Sequence, residues 1–327
     1  MPLGQLAGLK PAKQLREYFG EAILEAATNN SKIVVLDGDL GNSTGASTVR
    51  KALPDRFYNI GIAESNMISI SAGLAACGFI PFATSLSSFL LCNAFEQIRI
   101  SVAIANLNVK LVGSHSGMTT NREGPSSMSI EDFALSLGLP TFTVLVPSDP
   151  VTMHRAVQAS VEINGPVYIR SSREPMPYIY SEDDCHFQVG KANVVHEGND
   201  VTIIACGLMV PVTLDAAVIL EQEGIRARVL DMHTLRPLDQ DAILTAARET
   251  AAIVTAEEHM ITGGMGSAVS QVVAKNCPVP MRFIGIQDRY PRSGSLEELM
   301  KSMDMLPADV AAAARDLVLI KRNQARI

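Results

Sequence analysis

The stretch Asn59-Ile60-Gly61-Ile62-Ala63-Glu64-Ser65-Asn66-Met67 sets one carboxylate, Glu64, among small and apolar residues, directly ahead of an apolar run from Met67 to Ala76. That run reads as a buried helix. A carboxylate in such surroundings is costly unless it has a partner or is neutral. Glu64 is therefore either half of a structural pair or a proton-handling group kept for chemistry.

Outward from this stretch, short β-rich runs alternate with helical patterns. Ile33 to Leu36, Ile80 to Ala83, Val109 to Val112, Phe142 to Val146 and Val167 to Ile169 read as strands. Lys13 to Thr28, Ser65 to Ala76, Asn93 to Ala105, Ile130 to Ser136 and Pro150 to Glu162 read as the helices between them. Apolar strands joined by helical crossovers imply a parallel, helix-covered sheet. The polar stretch Glu174 to Phe187 breaks the rhythm and reads as a linker. Beyond it, strands at Val201 to Ala205, Ala227 to Leu230, Ala252 to Thr255 and Arg282 to Ile284 alternate with a second set of helices. The expected fold class is α/β, two doubly wound domains with mainly parallel sheets, over residues 10–175 and 188–327 with a linker at 176–187.

Composition narrows the function. At 327 residues the chain can bury two cores, and a formal charge of −7 supplies no basic field for nucleic acid. Five scattered cysteines, Cys77, Cys92, Cys185, Cys206 and Cys277, read as core thiols of a reducing compartment rather than a disulfide frame or a zinc site. The longest apolar stretch, Val201 to Val212, is interrupted by Gly207 and Pro211 and falls short of the roughly 20 residues of a membrane span. With no signal-peptide pattern at the N-terminus, a cytoplasmic protein is expected.

Several loops carry candidate chemistry. Asp37-Gly38-Asp39-Leu40-Gly41-Asn42-Ser43-Thr44 follows a strand and is either an anion-binding loop or an ordinary turn. Gly113-Ser114-His115-Ser116-Gly117 opens a polar loop reaching Met128, long for a loop without a ligand, although His115 alone could be structural. Arg170-Ser171-Ser172-Arg173 closes a strand. Arginine there suits a phosphate or carboxylate, a solvated face or an interdomain ion pair. The glycines of Gly263-Gly264-Met265-Gly266 do not follow their domain's first strand, which argues against a dinucleotide site.

In this order, the DGDxxNS segment at Asp37, GIAExNM at Gly61, GSHxG at Gly113, EGPS at Glu123 and RSSR at Arg170 resemble transketolase. Leu230-Asp231, Thr234-Leu-Arg-Pro-Leu238, Ala256-Glu-Glu-His259 and Asp288-Arg-Tyr-Pro-Arg-Ser-Gly294 continue the resemblance, which runs from about Lys13 to the end. It covers only that family's pyrimidine-binding and C-terminal domains, as in transketolases split over two polypeptides. The resemblance implies that Glu64 bonds N1′ of the aminopyrimidine of thiamine diphosphate, where a shared proton promotes loss of the thiazolium C2 proton. It makes Phe89 the aromatic stacked on the pyrimidine and places Ser127 at the cofactor. It also makes Arg16, Ser43, His115 and Arg173 a phosphate clamp and turns Glu123 toward the sugar hydroxyls. Glu123, Ser127, Leu86 and Asn93 depart from the family's usual residues, which bears on the identity of the sugar more than on the reaction class.

The resemblance also marks what is missing. The family holds the cofactor's diphosphate through Mg²⁺ on a GDG…N motif, and Asp37-Gly38-Asp39 lacks its preceding Gly and downstream Asn. No metal site is expected on this chain. An N-terminal transketolase subunit would hold the diphosphate with Mg²⁺ or Ca²⁺, thiamine diphosphate would be shared between subunits, and this chain would be inactive alone. Self-association through the pyrimidine domain would give a heterotetramer of two plus two. The expected activity is transfer of a two-carbon ketol unit between sugar phosphates. The β subunit of a 2-oxo-acid dehydrogenase E1 and a non-catalytic homologue are the alternatives.

Overall fold

The computed structural model describes residues 2–324. Six strands lie in the first half: β1 (Ile33–Asp37), β2 (Phe57–Asn59), β3 (Ile80–Leu86), β4 (Lys110–Ser114), β5 (Thr143–Leu145) and β6 (Val167–Arg170). The second half adds β7 (Asn193–His196), β8 (Val201–Ala205), β9 (Ala227–Asp231), β10 (Thr234–Arg236), β11 (Ile253–Met260) and β12 (Met281–Ile286). They form a seven-stranded sheet, ordered β10-β5-β6-β4-β3-β1-β2, and a five-stranded sheet, ordered β12-β11-β8-β9-β7. Within the first sheet only β10 runs antiparallel, and within the second only β7 does. The expected α/β class with two mainly parallel sheets is what the chain adopts.

Every residue of β1, β3 and β4 is buried, as expected for parallel strands covered on both faces. Ile33 and Val35 pack with Phe19 and Phe82 in one apolar layer, while Val34 and Leu36 pack with Met67 and Ile68 in the other. Each such side chain contributes about 1.5–3 kcal/mol by leaving water.

Four expectations change in detail. Thr234–Arg236, expected among the C-terminal series, lies antiparallel on β5 as the edge strand of the first sheet. The run Asn93 to Ala105 is not one regular helix: Ser88–Asn93 and Ile98–Ile104 wind in wide π-type turns around the short piece Phe95–Gln97. The helix Glu64–Ala76 buries Glu64, Met67, Ile68, Ser71 and Ala72, a stripe at helical spacing, but leaves Ser69, Ile70 and Gly73 exposed. Cys77 and Cys92 are exposed rather than in the core. Among the described residues no helix is long and apolar enough to cross a membrane.

Candidate active site

The candidate residues follow from where parallel strands end. Asp37 closes β1, Leu86 closes β3, Ser114 closes β4 and Arg170 closes β6, so the loops leaving these strands share one edge of the sheet. The chain leaves β1 toward β2 on one side and leaves the adjacent β3 toward β4 on the other, and ligands bind at such crevices outside the carboxyl ends of strands.

Glu64 opens the helix that follows β2, and it is only 2% exposed. The N-terminal end of a helix favours a negative group, which lowers the cost of placing a carboxylate there. The Ser85 hydroxyl, from β3, donates to Glu64 Oε1 at 2.9 Å. Gly38 leaves room beside it: a Cβ at that position would stand 3.2 Å from both Glu64 Oε1 and Ser85 Oγ. Sequence reasoning missed Ser85 and Gly38. Gly38 was visible in the loop after β1, but its role depends on β1 and β3 being neighbours.

Phe89 is half-buried in the π-type turn that follows β3. The hydroxyl of its neighbour Ser88 donates to the Ser127 carbonyl at 2.9 Å, which draws the Ser127 loop to the Phe89 segment. Leu86 is buried, whereas Asn93 is exposed and accepts the Ser65 hydroxyl on its carbonyl at 3.2 Å.

The five residues expected at the sugar also converge. Arg16 Nη1 donates to the Ser43 carbonyl at 3.4 Å. This approach needs glycine at position 45: its φ is +91°, and a Cβ there would lie 2.0 Å from the Arg16 carbonyl oxygen. His115 is buried with φ +56°, a left-handed conformation unusual outside glycine, and its Nδ1 lies 2.8 Å from Ser114 Oγ. Burial first, then the positive charges of Arg173 and Arg16, push its pKa down to about 4, so the ring is neutral at pH 7. Arg173 Nη1 in turn donates to Glu123 Oε1 at 2.8 Å. Two guanidiniums, an imidazole, a serine and a carboxylate thus form one cluster.

Arg170 does something different. It is fully enclosed, with Nε donating to Asp132 Oδ2 at 2.7 Å and Nη2 to the Glu258 carbonyl at 2.8 Å. Tyr168 also donates to Asp132 Oδ2, at 2.8 Å, and the Met118 amide donates to Glu258 Oε1 at 2.6 Å. Of the readings open for Arg170, the structure selects the ion pair that joins the two halves of the chain. Burial pushes the Glu258 pKa up and the Arg170 charge opposes it; burial likewise disfavours the Arg170 charge, and Asp132 and then Glu258 more than offset that.

Among the described residues no cluster of three or more His, Cys, Asp or Glu side chains could hold a metal ion. Asp37 accepts the Leu40 and Gly41 amides at 3.2 and 2.9 Å, and Asp39 accepts Asn59 Nδ2 at 2.8 Å. Both carboxylates tie the loop after β1 to itself and to β2.

Comparison with known proteins matches this architecture. Residues 12–177 match the model of the transketolase pyrimidine binding domain, and residues 190–310 that of the transketolase C-terminal domain. The chain is 40% identical over 303 residues to the 6-deoxy-6-sulfo-D-fructose transketolase subunit SqwH of Clostridium sp. (strain MSTE9), covering 93% of this chain and 94% of that one. It is 39% identical over 307 residues to the transketolase of Homo sapiens, of which it spans 49%. A split gene transketolase in an inactive beta4 tetramer superposes with a TM-score of 0.85 at 42% identity, over 94% of this chain and 99% of that chain. The chain belongs to the transketolase family, as the subunit that carries the pyrimidine-binding and C-terminal domains of a two-subunit enzyme.

Proposed function

We propose that this subunit transfers a two-carbon ketol unit between sugars bearing a terminal phosphate or a like-shaped anion, with thiamine diphosphate held jointly with an N-terminal subunit. The observation that carries this reading is the convergence of Arg16, Ser43, His115 and Arg173 at the same sheet edge as the buried Glu64. A buried carboxylate that accepts the Ser85 hydroxyl on Oε1 and has no Cβ at Gly38 to crowd it fits a ring nitrogen that must be protonated. Thiamine diphosphate supplies the nucleophilic carbon for ketol transfer. Glu64 would hold the proton at N1′ of its pyrimidine, Phe89 would pack on the ring, and Ser127 would lie at its margin. Arg16, Ser43, His115 and Arg173 would orient the sugar through its anionic end, while Glu123 would meet hydroxyls nearer the reacting carbon.

The diphosphate and its Mg²⁺ or Ca²⁺ fall to the partner in this reading, because Asp37 and Asp39 already serve as turn acceptors. The exposed apolar side chains Ile62 (84%), Ile100 (49%) and Ile104 (68%) support self-association of the pyrimidine domain and a two-plus-two assembly. Ketol transfer is to be assayed with the purified chain alone and after addition of an N-terminal subunit. Robust transfer by the chain alone sinks the shared-site reading, and decarboxylation of a 2-oxo acid without ketol transfer replaces it with the dehydrogenase alternative.

A further inference from the structure

The loop that follows His115 is gripped on both legs by the other half of the chain. It closes on itself where Gly117 and Ser129 exchange backbone hydrogen bonds at 2.9 and 3.0 Å, with Glu123 and Ser127 inside it. On the first leg, the Met118 amide donates to Glu258 Oε1 at 2.6 Å. On the second, the Ile130 carbonyl accepts the Met260 amide at 3.0 Å. Both grips come from β11 of the second sheet. The last glycine of the Gly113–Gly117 motif makes room for the first of them. Its φ is +61°, and a Cβ there would stand 2.4 Å from the Glu258 carboxyl carbon. Glu258 serves this loop more closely than it serves Arg170: its Oε2 lies 3.7 Å from Arg170 Nη1, beyond hydrogen-bond reach.

We propose that Glu258 is a positioning residue for the sugar-anion clamp, by which the C-terminal half of the chain sets the backbone at His115 and Arg173. This rests on the reading of those two residues as ligands of the sugar's anionic end. Met118 is the point where both can be held. His115 lies just before it in the chain, and the hydroxyl of Thr119, just after it, accepts the Arg173 amide at 3.3 Å. The Ser116 amide, between His115 and Gly117, donates to the Ser171 carbonyl at 3.1 Å and ties the same two segments again. A displaced Met118 therefore carries both ligands off the anion. Glu64 stands outside this arrangement, because its hydrogen bond comes from Ser85 on β3. Losing the grip of Glu258 should weaken sugar binding and spare the cofactor's proton partner.

The test uses the complex reconstituted with its N-terminal subunit and thiamine diphosphate, with fructose 6-phosphate as the sugar, read by Kd and by steady-state transfer. Glu258→Ala removes the charge facing Arg170 and the acceptor of the Met118 amide. Glu258→Gln removes the same charge but keeps an oxygen for that amide. Both variants lose the ion pair, so both should lower Tm. Glu258→Ala should also raise KM and Kd for the sugar by about ten-fold, as expected for one charge-assisted hydrogen bond. Its kcat and its affinity for thiamine diphosphate should stay within about two-fold of wild type, and Glu258→Gln should recover most of the lost sugar affinity. Gly117→Ala strikes the same contact from the loop side with Glu258 and Arg170 in place. It should raise KM in the same way even where Glu258→Ala does not fold. Sugar affinity indifferent to Glu258→Ala and Gly117→Ala overturns the proposal. So does a loss shared equally by Glu258→Gln and Glu258→Ala, which marks a structural ion pair. A wild type that binds no fructose 6-phosphate overturns the anion-clamp reading, and the proposal falls with it. Binding in the expected order without transfer leaves the positioning role standing and overturns the ketol-transfer reading instead.

Discussion

Glu64→Gln isolates one proton. Glutamine keeps the volume of Glu64 and an oxygen that accepts the Ser85 hydroxyl, now 2.9 Å from Oε1. Replacing a charge-assisted hydrogen bond by a neutral one costs about 1 kcal/mol, and losing the carboxylate at the helix N-terminus costs about 0.3–1 kcal/mol. Against this stands relief from burying an ionisable group that is only 2% exposed. The net effect on stability is within about 1 kcal/mol, a shift of a few degrees at most for a chain of this size. The expected effect on turnover is far larger, because positioned proton transfer contributes about 10²–10⁴ in rate, or about 2.7–5.5 kcal/mol of barrier. The assay is ketol transfer by the reconstituted complex, read beside its thermal unfolding. Turnover within about five-fold of wild type, well below the range expected for such proton transfer, refutes the assignment of Glu64 as the cofactor's proton partner. Lost turnover accompanied by a collapse in Tm refutes the claim that the change is local.

Other perturbations test the frame around it. Gly45→Ala puts a Cβ 2.0 Å from the Arg16 carbonyl at φ +91°. It should destabilise by more than about 1 kcal/mol and raise KM for an anionic sugar, measured by urea unfolding and steady-state kinetics. Arg170→Ala strands Asp132 and Glu258 without their buried cation. A loss of about 3–5 kcal/mol is expected by denaturant titration, and a loss under about 1 kcal/mol would show that the pair does not join the two halves. Asp231 is buried, accepts hydroxyls from Ser148 and Tyr180 at 2.6 and 2.8 Å, and has its pKa pushed up to about 7 by burial. The folded state therefore holds this proton more tightly than the unfolded chain, so the stabilisation is full below the ordinary carboxylate pKa and fades as pH rises through about 7. Between pH 5 and 8 the group should withdraw about 2–3 kcal/mol, and Asp231→Asn should flatten that part of the stability profile relative to wild type.

Much of this was legible because local patterning and tertiary position agree. Runs such as Ile33 to Leu36 are apolar on both faces, which only a covered parallel strand requires, and each is followed by a polar loop. The loops at Ser43, His115 and Arg173 each follow such a strand, and the parallel topology brings them to one sheet edge. What stayed hidden depended on long-range pairing. Thr234–Arg236 is three residues long and carries no periodic signal, so nothing local says which sheet it joins. Arg170 pairs with carboxylates 38 and 88 residues away, and a strand-end arginine looks the same whether it meets a ligand or a buried partner. The exposed half of helix Glu64–Ala76 misled for a related reason. An apolar run reports that a surface is covered, but not by which molecule.

The edge strand β10 and the buried Arg170 have a consequence for how such a gene can be divided. Nature's cut in split transketolases falls ahead of the pyrimidine domain, and the connection after it is the wrong place for a second one. A fragment ending in the linker would expose the backbone edge of β5 and leave Asp132 and Arg170 without Glu258, while the remainder would carry β10 as an unpaired ribbon. The two sheets are thus joined as one inheritable piece. Recombination can exchange the N-terminal subunit, but it must carry these two modules together.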